Sequence, residues 1–220
     1  MKHVALAVAG VVALGIATPT LADTNLFRDI AYGAPASNFT ADKGYYDCSQ
    51  DAGTPALCVD DITFLQEPFG LALKLSDGKV TSVLAVADFS ETVYSKLFGA
   101  LSENFTFVGM EDQRGFFDLI EHAQVAASEA AFTDQISNFE SVALNEGQLT
   151  YYFVELSLDQ ARAYRSATEL LRSLPSNVRQ VQFMVTEDQD GAYAMANFSF
   201  PTKDAERMQS HMDKAKKEKF

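Results

Sequence analysis

Residues 111–120 read EDQRGFFDLI and residues 187–196 read EDQDGAYAMA; upstream of each, SDGKVTSVLAV at 76–86 is answered by NEGQLTYYFVE at 145–155. The motif EDQxG and a common order of turn, strand, helix, turn and strand predict two copies of one unit. The expected fold class is α+β: two tandem ββαββ-like repeats, with antiparallel sheets each packed against a helix.

In the first copy, Phe69, Leu71, Leu73 and Leu75 alternate with smaller or polar residues, the period of a half-buried strand. Asp77-Gly78 favours the positive φ of a tight hairpin turn, and Lys79–Ala87 returns with Val80, Leu84 and Val86 expected on one face. Asp88-Phe-Ser-Glu91 carries a capping-box pattern ahead of a helix whose Val93, Tyr94, Leu97, Phe98 and Leu101 form one apolar stripe. A hairpin of Phe105–Met110 with Gly115–His122 follows. The second copy is expected to run from a strand at Val142–Leu144 through Leu149–Leu156, a helix at Leu158–Leu174 and a hairpin of Val178–Thr186 with Ala192–Phe200.

The organisation expected from this reading is a signal peptide at 1–22, an irregular lead-in with a disulfide loop at 23–68, repeat one at 69–123, a linker and repeat two at 124–200, and a polar helical tail at 201–220. The lead-in should hold a short helix near Asn25–Ile30 and a strand near Ile62–Leu65. Lys2 and His3, an apolar run from Val4 to Ile16, and small residues up to Ala22 predict export, with cleavage between Ala22 and Asp23. That run is too short to span a bilayer, which takes about 20 apolar residues. The expected location is the periplasm of a Gram-negative bacterium, with secretion to the medium as the alternative.

The net charge of −13 becomes −14 once Lys2 is removed, and such a surface repels phosphate backbones, so nucleic acid is not an expected partner. The two cysteines, Cys48 and Cys58, predict a structural disulfide in an oxidising compartment. Two thiols without neighbouring histidines fall short of a zinc site, and neither a metal nor a cofactor is expected.

The opening Phe27-Arg-Asp-Ile30-Ala-Tyr-Gly33-Ala-Pro, the cysteine pair and the hairpin turning on Asp77-Gly78-Lys79 together resemble small exported α+β modules. These are of the type found in the outer-membrane assembly lipoprotein BamE and in the β-lactamase-inhibitor proteins. The resemblance covers about residues 26–87. It implies a non-catalytic adaptor or inhibitor that presents a sheet face to another protein.

Sequence motifs for catalysis are sparse. Downstream of the leader the histidines are His122 and His211, and Asp118 with His122, four apart and sharing one predicted strand face with Ile120, is the sharpest acid–base pair. Asp60-Asp61, Glu111-Asp112, Glu187-Asp188 and Asp190 supply carboxylates, but adjacent strand residues point to opposite faces, and a glycosidase needs two carboxylates converging on a cleft. Arg162, Arg165 and Arg172 are expected along the outward stripe of the second helix, where they could grip an acidic partner, and i, i+4 pairing of Arg165 with Glu169 is the plainer reading. Tyr151, Tyr152 and Phe153 in succession force at least one large ring away from the core face, which marks a candidate partner surface. The leading expectation is a non-enzymatic interaction or inhibitor-like module that binds another exported or envelope protein. The alternatives are a carboxylate-based hydrolase and a carrier of a small apolar ligand held between sheet and helices.

Overall fold

The strand alternation that begins at Phe69 continues through a single nine-stranded antiparallel sheet, seen in a computed structural model that describes residues 24–187 and 189–217. The expected cleavage residues Ala22 and Asp23, and Asp188 of the second EDQxG motif, lie outside the described residues. The sheet takes β3 (Tyr46–Asp47), β4 (Ala56–Phe64), β5 (Glu67–Ser76), β6 (Lys79–Asp88), β7 (Thr106–Asp112), β8 (Gly115–Asp118), β9 (Gln148–Val154), β10 (Gln180–Glu187) and β11 (Ala192–Ser199). Their spatial order is β3-β4-β5-β6-β11-β10-β9-β7-β8. A separate two-stranded ribbon, β1 (Asn25–Phe27) with β2 (Ile30–Ala31), stands where a short helix was expected.

The α+β class and a large antiparallel sheet are thus present, but the two expected sheets are one. β6 pairs with β11 rather than with its own copy's β7, so the last hairpin is inserted between the halves of the first unit. The second unit also lacks its opening strand. Val142–Leu144 belongs to α4 (Glu129–Asn145), whose Phe132, Ile136, Phe139 and Ala143 follow helical spacing onto the core. Gly147, at φ 80°, therefore follows a helix end, whereas Asp77 and Gly78, at φ 51° and 69°, form a two-residue hairpin turn. The two EDQxG turns differ as well. Asp112 pairs with Gly115 across a two-residue loop, but Glu187 pairs with Ala192 across a four-residue loop.

One sheet face is fully covered. Its cross-strand rows run Leu73–Val83–Phe198–Val181–Phe153–Phe107 and Leu71–Ala85–Ala196–Phe183–Tyr151–Met110. Over them lies α2 (Glu91–Asn104), capped by Ser90, whose Oγ accepts a hydrogen bond from the Val93 N–H at 3.1 Å. Its Val93, Leu97 and Leu101 are buried in the same core as Leu26, Phe27 and Ile30 of the ribbon. A register shift between Lys74 and Leu75 reverses part of the expected alternation in β6. Val80 and Val83 both face this core, while Leu84 and Val86 turn to the other side and stay half-buried.

The opposite face is covered only at its β7–β9 end. There α3 (Leu119–Val125), α5 (Leu158–Arg162) and α6 (Ala167–Arg172) build a smaller core of Val108, Ile120, Val154, Ala161, Ala167, Leu170, Leu174 and Val178. The helix expected over 158–174 is broken between α5 and α6, because Ser157 and Ser166 each start a separate helix by accepting a hydrogen bond from the backbone three residues on. The remaining helices are the short α1 (Ser49–Ala52) and the C-terminal α7 (Pro201–Lys217), which docks through Tyr32–Asp204 at 2.9 Å and His211–Asp77 at 2.8 Å. Cys48 and Cys58 form the expected disulfide, with their Cα atoms 5.8 Å apart. Among the described residues no helix is long and apolar enough to cross a membrane.

Candidate functional site

Away from α5 and α6, the second face carries two adjacent rows outside its small core, Ala72–Leu84–Asn197–Gln182 and Gly70–Val86–Met195–Met184–Thr150, the first of which runs on to Tyr152, packed against that core. Every residue in them is half-buried. Strands with Leu, Val and Met on both faces normally have both faces covered, so this apolar strip, relieved only by the neighbouring amides of Asn197 and Gln182 and by Thr150, is an unusual surface for water to meet.

The strip opens at its β5–β6 edge into a cleft of about 660 Å³ lined by Phe69, Gly70, Val86, Phe89, Val93 and Tyr193, with Asp60, Asp61, Glu67 and Asp88 around it. A β-bulge builds its acidic wall. Val59 pairs with Leu71 and Ile62 with Phe69, so Asp60 and Asp61 together stand opposite the single residue Gly70, one residue more than regular pairing takes, and Asp61 sits at φ 56°. This is how two adjacent carboxylates, expected on opposite faces of a strand, come to border one cleft. Tyr46 donates its hydroxyl to both oxygens of Asp60, at 3.1 and 3.0 Å, and Lys96 of α2 pairs with Glu67 at 2.6 Å. Phe89, which lines the cleft, is 37% exposed, and its ring lies 6.3 Å from that of Tyr94.

The residues singled out from the sequence are dispersed. Tyr151 and Phe153 face the closed core, and Tyr151 is 1% exposed. Tyr152 alone of the three turns to the second face, where it packs against the smaller core, its hydroxyl donates to Glu111 and its ring meets Phe116 edge-on at 5.4 Å. Burial, reinforced by the Glu111 bond, raises its phenol pKa above the ordinary value. Arg162, Arg165 and Arg172 do not share a stripe, because the helix break places them on α5, in the connection and at the end of α6. Arg165 meets Glu169 through its backbone N–H, at 3.1 Å, and not through its guanidinium.

Asp118 and His122 do not share a strand face. β8 ends at Asp118, and His122 belongs to α3, where it stacks on Phe117 with ring centres 4.0 Å apart and its Nδ1 lies 3.1 Å from Gln135 Oε1. Asp118 is a double helix cap. One oxygen accepts from Glu121 N–H at 3.0 Å and Ala167 N–H at 2.8 Å, the other from Thr168 N–H at 3.1 Å. Sequence reading identified the residue and missed the job, because its second set of donors lies about fifty positions downstream.

Two polar networks went unread. Under α4, Tyr94 donates to Glu140 at 2.7 Å, Tyr151 donates to the same oxygen, and the two hydroxyls lie 2.8 Å apart. Burial is the main cause that pushes both phenols well above their ordinary range. At the β7–β8 turn burial pushes the Asp112 carboxyl up, but the side-chain and backbone bonds from Arg114 outweigh it and hold the group below its usual value. The same guanidinium lies over the Phe139 ring at 4.9 Å and so ties α4 to this turn. Both networks fasten helices to the sheet and neither borders the cleft. Among the described residues, no group of three or more His, Cys, Asp or Glu side chains is placed to hold a metal ion.

No family model matches this chain, and no curated protein and no solved structure matches it either.

Proposed function

We propose that the protein is a non-enzymatic interaction module of the bacterial envelope, acting in the periplasm, and that it holds an extended or amphipathic segment of another exported protein across its uncovered sheet face. The observation that carries this reading is the junction of the half-buried strip with the acidic cleft. A partner segment with apolar side chains spaced to meet Leu84, Val86, Met184 and Met195, and with a Lys or Arg reaching Asp60, Asp61 or Asp88, would match it in polarity and in charge. The disulfide and the export signal read from the sequence support an oxidising compartment. The resemblance to BamE-type and inhibitor-type modules, which present a sheet face to a protein, points the same way.

A photo-crosslinking amino acid placed at Val86 or Met195 in the exporting cell tests it, with the same group at Val125, which is 75% exposed and away from the strip, as the control. One dominant adduct from both strip positions, absent at position 125 and lost on Asp88→Lys with Asp61→Lys, is the expected result. Equal adducts from all three positions would refute the assignment.

A further inference from the structure

A second cavity lies at the start of β7, away from the cleft. It holds about 400 Å³ and is walled by Phe107, Val108, Leu119, Ile120, Phe132 and Ala161. It exists because the β7–β9 register shifts between Phe107 and Gly109, which lets both Phe107 and Val108 line one space where regular alternation would send them to opposite faces. The size falls within the range of about 300–1,000 Å³ usual for small-molecule sites.

The polar side chains at this cavity are Thr106, Gln124 and Arg162. Thr106 donates its hydroxyl to Leu156 O at 2.6 Å, and Gln124 donates to Arg165 O at 3.3 Å. Arg162 makes no hydrogen bond or ion pair among the described residues, although Asp159 is only three positions away on the same short helix. Next to it Leu158, also part of the wall, is 50% exposed. An apolar chamber with a half-exposed leucine and an unengaged guanidinium at its edge is complementary to an apolar body with one anionic head.

We propose that this cavity binds a free medium-chain aliphatic monocarboxylate, tail against Phe107, Val108 and Ile120 and carboxylate on Arg162. The volume accommodates roughly a dozen non-hydrogen atoms at about 30 Å³ each, which sets the length of the chain. The site does not depend on the partner-binding reading, since the two cavities share no lining residue.

Isothermal titration calorimetry of the full exported chain with decanoate, below its micelle concentration, tests the assignment. Decanol, with the same tail and no charge, serves as the comparison. Saturable one-to-one binding of decanoate is expected, about tenfold or more weaker for decanol and for Arg162→Glu, and lost in Ala123→Trp, which fills the mouth from an exposed position without touching the core. Unfolding curves of both variants show that the fold is kept. Binding unchanged by either substitution, or no saturable binding in the wild type, would overturn the proposal.

Discussion

Replacing Asp118 tests the double-cap assignment most directly. The carboxylate is buried, with 6% of the residue exposed, and its oxygens accept the N–H groups of Glu121, Ala167 and Thr168. Asp118→Ala strands three N–H groups at the first turns of α3 and α6 and removes a negative charge from two helix N-termini. Hydrogen bonds to a charged group contribute about 1.5–3 kcal/mol each, and a lost N-cap costs about 0.5–2 kcal/mol. Because the three bonds share one carboxylate they do not add fully, and a net loss of about 3–5 kcal/mol is expected. Asp118→Asn keeps one good acceptor, enough for Glu121 and Ala167, but turns an amide donor toward Thr168, so about half that loss is expected. Urea unfolding followed by far-UV circular dichroism, suited to a chain with no Trp, reads both values. At about 2–4 °C per kcal/mol for a chain of this size, Asp118→Ala should lower Tm by roughly 10 °C. A loss below about 1 kcal/mol for Asp118→Ala would mean that the helices are started by Ser166 and by packing alone, and the reasoning would be wrong.

Three further outcomes are expected. A Cβ on Gly109 would stand 2.2 Å from Phe116 Cζ, so Gly109→Ala must push that ring off Tyr152 and should cost about 1–3 kcal/mol, most of it recovered when Phe116→Ala is added in a double-mutant cycle. Tyr94 and Tyr151 have folded-state pKa values raised above the unfolded value of about 10, so their contribution to stability is complete below that pH and is lost as pH climbs past it. Unfolding measured from pH 8 to 11.5 should show this fall, shallower in Tyr151→Phe; an unchanged slope would count against the Glu140 network. Reducing Cys48–Cys58, ten residues apart, should cost about 2–3 kcal/mol by loop-closure entropy without unfolding the sheet, and an unchanged urea midpoint would show that the loop is already fixed by other contacts.

Strand periodicity at 69–75, the existence of a return strand at 79–87, the Asp77-Gly78 turn, the α2 stripe and the disulfide were all legible, because each depends on residues within about ten positions of one another. Sequence reading failed where a distant neighbour decides. The alternation after Val80 was misread because a bulge at Lys74–Leu75 shifts the face, and the bulge is set by pairing between strands. EDQxG recurs at 111–115 and 187–191, but loop length follows from the register of the flanking strands, so like sequences gave unlike turns. Val142–Leu144 has strand-like residues, yet the three-four spacing from Phe132 to Ala143 carries it into a helix. Asp60-Asp61 was visible as a carboxylate pair, but the strand was expected only from Ile62, so the bulge that turns both toward one cleft, set by pairing with β5, was not. The chamber beside Arg162 had no local signature, since its walls come from β7, α3, α4 and α5.

The placement of β10 and β11 between β6 and β9 also governs how the chain can acquire its structure. Until residues 180–199 are available, β6 and β9 each present an open hydrogen-bonding edge, and the two flanks of the sheet have nothing between them. Pairing of residues 82–88 with 193–199 closes a loop of over one hundred residues, a slow step that cannot begin while the C-terminal end is still being made or translocated. Under the proposed export, this order would keep the polypeptide threadable through a secretion pore and complete its sheet only after the tail had arrived on the far side.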